Sequence, residues 1–282
     1  MSIKVITDST SYIPKEIQED LDLSIVSLNI IVKGTSEREL DVNLDQFYSH
    51  LKELNEIPTS SQPTPDEMLE TFESLVRNGH DIFGVFLSSE MSGTFSNAHM
   101  IRDLVLEKYP TANIQLFDSM TNCMQMGYIA IEAAKAAKAG ASMDEVIEVA
   151  TQVKEHSRFL FTPETLDYLK KGGRIGGASA LLGNIFQIKP ILTVEDGKTT
   201  VYTKVRTKKK AIQTFIDKFK EDLTSRELGG VIVHHINNEE DGFLLAQKLE
   251  EELKQPVGLQ SIGPVIGCHV GPGSIGIAYY TK

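Results

Sequence analysis

Ile3-Lys4-Val5-Ile6-Thr7-Asp8-Ser9-Thr10-Ser11 reads as a short apolar strand ending in a hydroxyl-rich loop, and Pro14 to Leu21 follows as a helix with proline at its start. Strand, polar loop, helix is the unit from which parallel α/β sheets are built. The unit recurs. Leu23 to Val32 is strand-like, Asn43 to Leu54 is helical, and Thr64-Pro65-Asp66-Glu67 opens a further helix with a capping box. Ile82 to Leu87 is a strand, followed by the loop Ser88-Ser89-Glu90-Met91-Ser92-Gly93-Thr94 and a helix to about Tyr109. Asn113 to Phe117 leads into Asp118-Ser119 and a helix from Asn122 to Ala139. A second capping box, Ser142-Met143-Asp144-Glu145, starts a helix to about His156.

Beyond Arg158 the rhythm changes. Pro163 to Lys171 and Ala178 to Phe186 look helical, and Lys189 to Thr193 and Thr199 to Val205 bracket the hairpin signal Glu195-Asp196-Gly197. Gly230 to His234 and Gly273 to Tyr280 add strands around helices Lys208 to Leu223 and Glu239 to Leu253. The expected fold is α/β: a parallel-sheet α/β domain over residues 1–158 and an α+β domain over 159–282. The length of 282 residues suits two such units.

Composition narrows the function. The chain is 41% hydrophobic and 24% charged, enough to bury a core. With 28 basic against 39 acidic residues its net charge is −11, which disfavours nucleic acid and anionic membranes as partners. Cys123 and Cys268 stand far apart, so neither a disulfide framework nor a zinc site is indicated. No segment has the character of a signal peptide or a membrane span, and a cytoplasmic location is expected.

Ligands of open α/β sheets sit beyond the carboxyl ends of the strands. Three hydroxyl-rich loops belong there: Asp8-Ser9-Thr10, Ser88 to Thr94, and Asp118-Ser119. Ser92-Gly93-Thr94 also opens a helix, where free amides favour an anion, although Ser92 as a simple cap reads equally well. Pro58-Thr59-Ser60-Ser61-Gln62-Pro63 offers three consecutive hydroxyls between prolines, suited to a carboxylate or to an ordinary polar loop. Lys170-Lys171-Gly172-Gly173-Arg174-Ile175-Gly176-Gly177 follows a helix pattern and lacks the spacing of a phosphate loop. His269 stands in the glycine- and proline-rich stretch Gly263 to Gly273, read as a tight loop. His234 and His235, adjacent on a strand, point to opposite faces and cannot chelate one ion, so no metal site is expected. Ser92, His269 and Asp118 make a catalytic triad only on paper, since no nucleophile elbow is present. The run Lys204, Arg206, Lys208, Lys209 and Lys210 is the one basic patch in an acidic chain.

Together these stretches resemble the DegV family, the fatty-acid-binding components of bacterial fatty-acid kinases, along almost the whole chain. The matching motifs are Thr7-Asp8-Ser9-Thr10, Thr59-Ser60-Ser61-Gln62-Pro63, Ser88 to Thr94, Asp118-Ser119, Glu164 to Ile175, and Lys189-Pro190-Ile191-Leu192. The resemblance implies a Rossmann-like N-terminal domain and a smaller α+β C-terminal domain, with a long-chain fatty acid, palmitate- or oleate-like, buried between them and no cofactor. It places the carboxylate on Ser60 and Ser92, with His269 and Arg174 assisting and Thr59, Ser61, Gly93, Thr94, Asp8, Ser9, Asp118 and Ser119 in support. It also implies that the chain is no enzyme by itself but presents the acid to a separate ATP-binding kinase that makes acyl phosphate; Lys204, Arg206 and Lys208, as the basic exception on an acidic surface, are the expected docking patch. Two departures stand out: Ser60 where the family often has threonine, and the bulky run Asn122 to Gly127 where it is usually rich in small residues. An acyl chain of about fifteen methylenes at about 0.8 kcal/mol each supplies ample transfer free energy, so the polar loops need only fix the head group. A serine hydrolase of lipid esters built on Ser92 and His269, or a lipid-sensing regulator, are the alternatives.

Overall fold

The computed structural model describes residues 2–51, 54, 56–182 and 188–282. Four short parallel strands form the first sheet, in the order β2-β1-β6-β7: β1 (Ile3–Asp8), β2 (Ser24–Val26), β6 (Asp81–Phe86) and β7 (Ile114–Asp118). Helices α1 (Lys15–Leu21), α3 (Pro65–Arg77) and α4 (Thr94–Lys108) belong to its crossovers. Strands covered on both faces read as near-continuous apolar runs, which is how Ile82 to Leu87 reads.

The expected strand from Leu23 to Val32 is two strands in two sheets. After β2 the chain leaves the parallel sheet, and β3 (Asn29–Val32) pairs antiparallel with β4 (Thr35–Arg38) and with β5 (Thr59–Ser61). Glu67 marks the break. Its carboxylate accepts from the Ser27 amide at 3.0 Å and from Arg38, so it does not return to Thr64; Thr64 caps α3 alone, bonding the Glu67 amide at 3.3 Å. The Ser142–Glu145 box is made in both directions, at 3.4 and 2.7 Å. Helix α2 (Leu44–Leu51) begins one residue later than expected; part of its expected end, 52 and 53, lies outside the described residues.

The second large sheet runs β10-β9-β8-β13-β11-β12. Its strands are β8 (Ser157–Thr162), β9 (Lys189–Glu195), β10 (Lys198–Val205), β11 (Leu228–His235), β12 (Gly258–Ser261) and β13 (Ile275–Thr281). Only β11 and β12 run parallel. The β9–β10 hairpin turns on Asp196 (φ 49°) and Gly197 (φ 76°), the left-handed pair that a two-residue hairpin requires. Helix α7 (Asp167–Lys171) is shorter than expected, and the expected helix from Ala178 is a 3-10 segment, Gly176–Leu181; 183–187 lie outside the described residues.

Helix α5 (Cys123–Lys138) lies between the two large sheets, and α6 (Met143–Glu155) packs against it. Helix α5 is apolar on nearly every face, as a helix buried on all sides must be, and packs on β1 and β6 one way and on β8 and β13 the other. At Gly127 a Cβ would come within 2.8 Å of the Ser11 carbonyl, so the helix can approach the loop after β1 only without a side chain there. Outside, α3 and α4 cover the parallel sheet with Met68, Phe72, Ile101 and Val105. On the far side, α8 (Lys208–Asp222) and α9 (Glu239–Leu253) cover the second sheet with Phe215, Phe219, Leu245 and Leu249. Each such buried side chain contributes about 1.5–3 kcal/mol. The central core is shared by residues on both sides of position 158.

The stretch from Gly263 to Gly273, expected as a tight loop, contains a two-turn helix, α10 (Pro264–Val270). Pro264 at its first position supplies a suitable φ and needs no hydrogen bond there. This helix and β5 place the residues of the site.

Candidate functional site

Between the two large sheets lies a narrow cavity. Its walls are mostly apolar, with Phe159 and Phe161 from β8, Leu28 and Leu87 from the first half, and Val265 and Ile266 from α10, but Asn122, Thr199, His234, His235 and Ser274 line it too. Ser60, Ser92, Arg174 and His269 all line the cavity, and Arg174 is the one charged side chain among its described lining residues.

Ser60 stands at the middle of β5, and its hydroxyl lies 2.8 Å from His269 Nε2 on the last turn of α10. Because side chains alternate along a strand, Thr59 and Ser61 face away from the side Ser60 faces, and neither lines the cavity. His269 is neutral at pH 7: burial, and then the charge of Arg174, push its imidazole down to about 4. Its Nδ1 is buried and makes no hydrogen bond among the described residues. A Cβ on Gly172 would sit 2.3 Å from that nitrogen, so Gly172 is the space into which the ring fits. Of the glycine-rich run after α7, Gly172 packs on His269 and Gly176 on the Thr199 carbonyl; its resemblance to a phosphate loop ends at composition.

Arg174 is exposed at the mouth, tied by Nε to the Met91 carbonyl (3.0 Å) and by Nη1 to the Gly172 carbonyl (2.7 Å). Two of its five N–H groups are thus used. Ser92 bonds the Thr94 hydroxyl at 2.9 Å and accepts from the Thr94 amide at 3.3 Å, while Gly93, the residue before α4, leaves room for Gln62.

The remaining candidates support from behind. Asp8 accepts from Thr10 and from the Leu87 amide at 2.9 Å, tying the loop after β1 to the end of β6; burial pushes its carboxyl up to about 6. Ser9 donates to Glu39. Asp118 accepts from the amides of Ser89 and Met120, and Ser119 bonds Thr121. None of these four lines the cavity. Ser88 ties the hydroxyl-rich loop to the second sheet, donating to the Gly197 carbonyl of the hairpin at 2.8 Å. No triad forms, because His269 bonds Ser60 and not Ser92, and Asp118 is committed elsewhere.

His234 and His235 diverge as expected: His234 packs edge-on to Phe159 inside, and the Cβ and Cδ2 of His235 lie against Gly242 of α9. Burial pushes His234 down to about 3, and its Nε2 accepts from the Met124 amide at 3.3 Å. Among the described residues no cluster of three metal-ligating side chains occurs, and no helix is long and apolar enough to cross a membrane. Both cysteines are free and buried.

The sheets and the cleft define a mixed α/β protein with a parallel sheet and a mostly apolar cavity that also carries hydroxyl, imidazole and guanidinium groups. A family model described as "Uncharacterised protein, DegV family" matches residues 2–282, and the chain belongs to that family. A DegV domain-containing protein of Clostridium acetobutylicum is 47% identical over 282 residues, covering 100% of this chain and 99% of that protein. Protein DegV of Bacillus subtilis is 33% identical over 287 residues and covers 100% of both. The solved structure of Bacillus subtilis DegV, described as a fatty acid binding protein, superposes with a TM-score of 0.88 at 32% identity, over 100% of both chains. A stearic-acid-binding protein of Eubacterium ventriosum superposes with a TM-score of 0.89 at 27% identity, covering 99% of this chain and 98% of that one.

Proposed function

We propose that this protein binds a long-chain fatty acid in the channel, with the carboxylate at Ser60 and Ser92, and presents it to a separate ATP-dependent kinase that forms the acyl phosphate. The observation that carries the reading is that Ser60, Ser92, His269 and Arg174 line one mostly apolar channel, with Ser60 bonded to His269 and Arg174 bonded to the Met91 carbonyl beside Ser92. If the neutral imidazole donates through Nε2 to the Ser60 oxygen, the Ser60 proton is left to point at a carboxylate. Neutral donors hold the anion without an ion pair, which keeps a carboxylate oxygen nucleophilic towards the γ-phosphate of ATP. Arg174 at the mouth balances charge from outside.

In this reading residues 1–158 and 159–282 act as the two walls of the channel. Lys204 and Arg206, exposed on β10 and just beyond it, form the docking patch; Lys208 contributes less, being paired with Asp241 at 2.7 Å. The cytoplasm, where thiols such as Cys123 and Cys268 stay reduced and ATP is available, is the compartment that suits this role. Lipid co-purifying with the protein, identified by denaturing extraction and mass spectrometry, supports the reading. Absence of fatty acid from the extract, with no binding of added palmitate or oleate, refutes it.

A further inference from the structure

Glu39 does not line the channel, and its carboxylate is buried, the residue being 5% exposed. It gathers three hydrogen bonds from two segments: the Ser9 hydroxyl (2.5 Å) and the Tyr12 hydroxyl (2.9 Å) of the loop after β1, and the Val265 amide (2.9 Å) of α10. The Tyr12 oxygen in turn accepts from the Ile266 amide at 3.3 Å. Val265 and Ile266 are the second and third residues of α10, after Pro264, which has no N–H. The first free amides of the helix are therefore held by Glu39 and Tyr12, since Gly263 has no side chain to cap them. The fit is close: a Cβ on Gly263 would lie 2.6 Å from Glu39 Oε1, and one on Gly267 would lie 2.0 Å from the Tyr48 hydroxyl.

A seven-residue helix has no stability of its own, so outside contacts set its position and rotation. His269 lies one turn beyond Val265 on the same face, and a shift at the first turn carries directly to the imidazole. We propose that Glu39 is a positioning residue for the ligand site: by holding the Val265 amide it fixes α10, and with it His269 against Ser60. The effect on ligand release rests on the fatty-acid reading above; the effect on the His269 ring does not.

The burial of Glu39 gives the role a signature. Burial, opposed by its three hydrogen bonds and reinforced by the charge of Asp8, pushes its carboxyl from an ordinary 4.5 up to about 7. The other titratable groups facing it are Tyr12, Tyr48 from α2, Cys123 from α5 and Cys268 from α10, none of them a cation. Asp8 takes its own hydrogen bonds from Thr10 and Leu87 and none from α10. Any movement of α10 that wets Glu39 returns it towards 4.5 and releases a proton. Such opening is favoured as pH rises from about 5 to about 7 and levels off above.

The test measures the ring ¹⁵N signals of His269 in ligand-free protein and the release rate of cis-parinaric acid, in wild type, Glu39→Gln, Glu39→Ala and Tyr12→Phe. Glu39→Ala is expected to move the His269 signals and to speed release about tenfold at every pH. Glu39→Gln keeps the acceptor without the charge. It should retain the wild-type signals, release like wild type near pH 5.5, and release more slowly than wild type near pH 8. Should Glu39→Ala fail to fold, Tyr12→Phe, which removes the link to Ile266, is expected to move the His269 signals. Unchanged His269 signals in Glu39→Ala, or in Tyr12→Phe if it alone folds, overturn the proposal, as does a pH dependence of release that survives intact in Glu39→Gln. A wild type that binds no parinaric acid, while Glu39→Ala still moves the His269 signals, refutes the fatty-acid reading and upholds the positioning role.

Discussion

Ser60 Oγ and His269 Nε2 lie 2.8 Å apart although 209 residues separate them in the chain. The bond joins the middle of a three-residue strand to the last turn of a two-turn helix, and both residues line the channel. Removing the hydroxyls should therefore weaken ligand retention without unfolding the protein. In Ser60→Ala with Ser92→Ala, the loss of two hydrogen bonds to a carboxylate, about 1.5–3 kcal/mol each, predicts a Kd for palmitate weaker by about a hundredfold or more by calorimetry. A large fall in melting temperature would instead make the serines structural.

Gly172→Ala should act as a His269 variant. The new methyl falls 2.3 Å from Nδ1, and forcing it in costs about 1–3 kcal/mol or displaces the ring. Binding should drop to the level of His269→Ala, and in a His269→Ala background the same change should be harmless. Independent, additive losses in that double-mutant cycle would contradict the contact.

Acid should weaken the fold through His234. Burial holds it neutral down to about pH 3, whereas the unfolded chain protonates it near 6.5. The native state then binds fewer protons, so this contribution to stability is complete above about pH 6.5 and is lost as pH falls from there towards 3, by at most about 1.4 kcal/mol per pH unit. His269 adds in the same direction down to about 4. Asp8 and Glu39, both raised, oppose it, their protonation favouring the folded state as pH falls from about 7. The diagnostic quantity is thus the difference in unfolding free energy between wild type and His234→Gln, measured by denaturant titration. It should be constant above pH 6.5 and shift in favour of the variant below it.

Charge reversal at Lys204 and Arg206 should abolish acyl-phosphate formation with the partner kinase and leave fatty-acid binding unchanged. Both side chains are exposed and far in sequence from Ser60, Ser92 and His269. Undiminished phosphoryl transfer would remove the docking role.

Much of the architecture is legible because the strands and helices of the two large sheets are long enough to show their periods, and because Ser142-Met143-Asp144-Glu145 and Asp196-Gly197 carry unambiguous local chemistry. Shorter elements hide. Three residues of β5 cannot display an alternation, and its partner β3 reads as a continuation of β2 until Ser27 turns the chain away. Helix α10 is masked by its glycines; Pro264 at the first position was the signal available. The loops of Ser60 and Ser92 are legible in the sequence as anion sites, the family resemblance adds Arg174 and pairs them with His269, and in the fold all four line one channel. Glu39 was out of reach, since its run Thr35 to Asp41 looks like an exposed polar turn and only tertiary packing makes its carboxylate buried. Gly172, too, has a meaning only beside His269.

A crystal structure of the protein with bound palmitate tests the central claim most directly. The account predicts a continuous tube of density between Phe159, Phe161 and α10, ending in a carboxylate within hydrogen-bond distance of Ser60 and Ser92. A carboxylate elsewhere in the channel, or ligand bound outside it with the channel unchanged, would contradict the account.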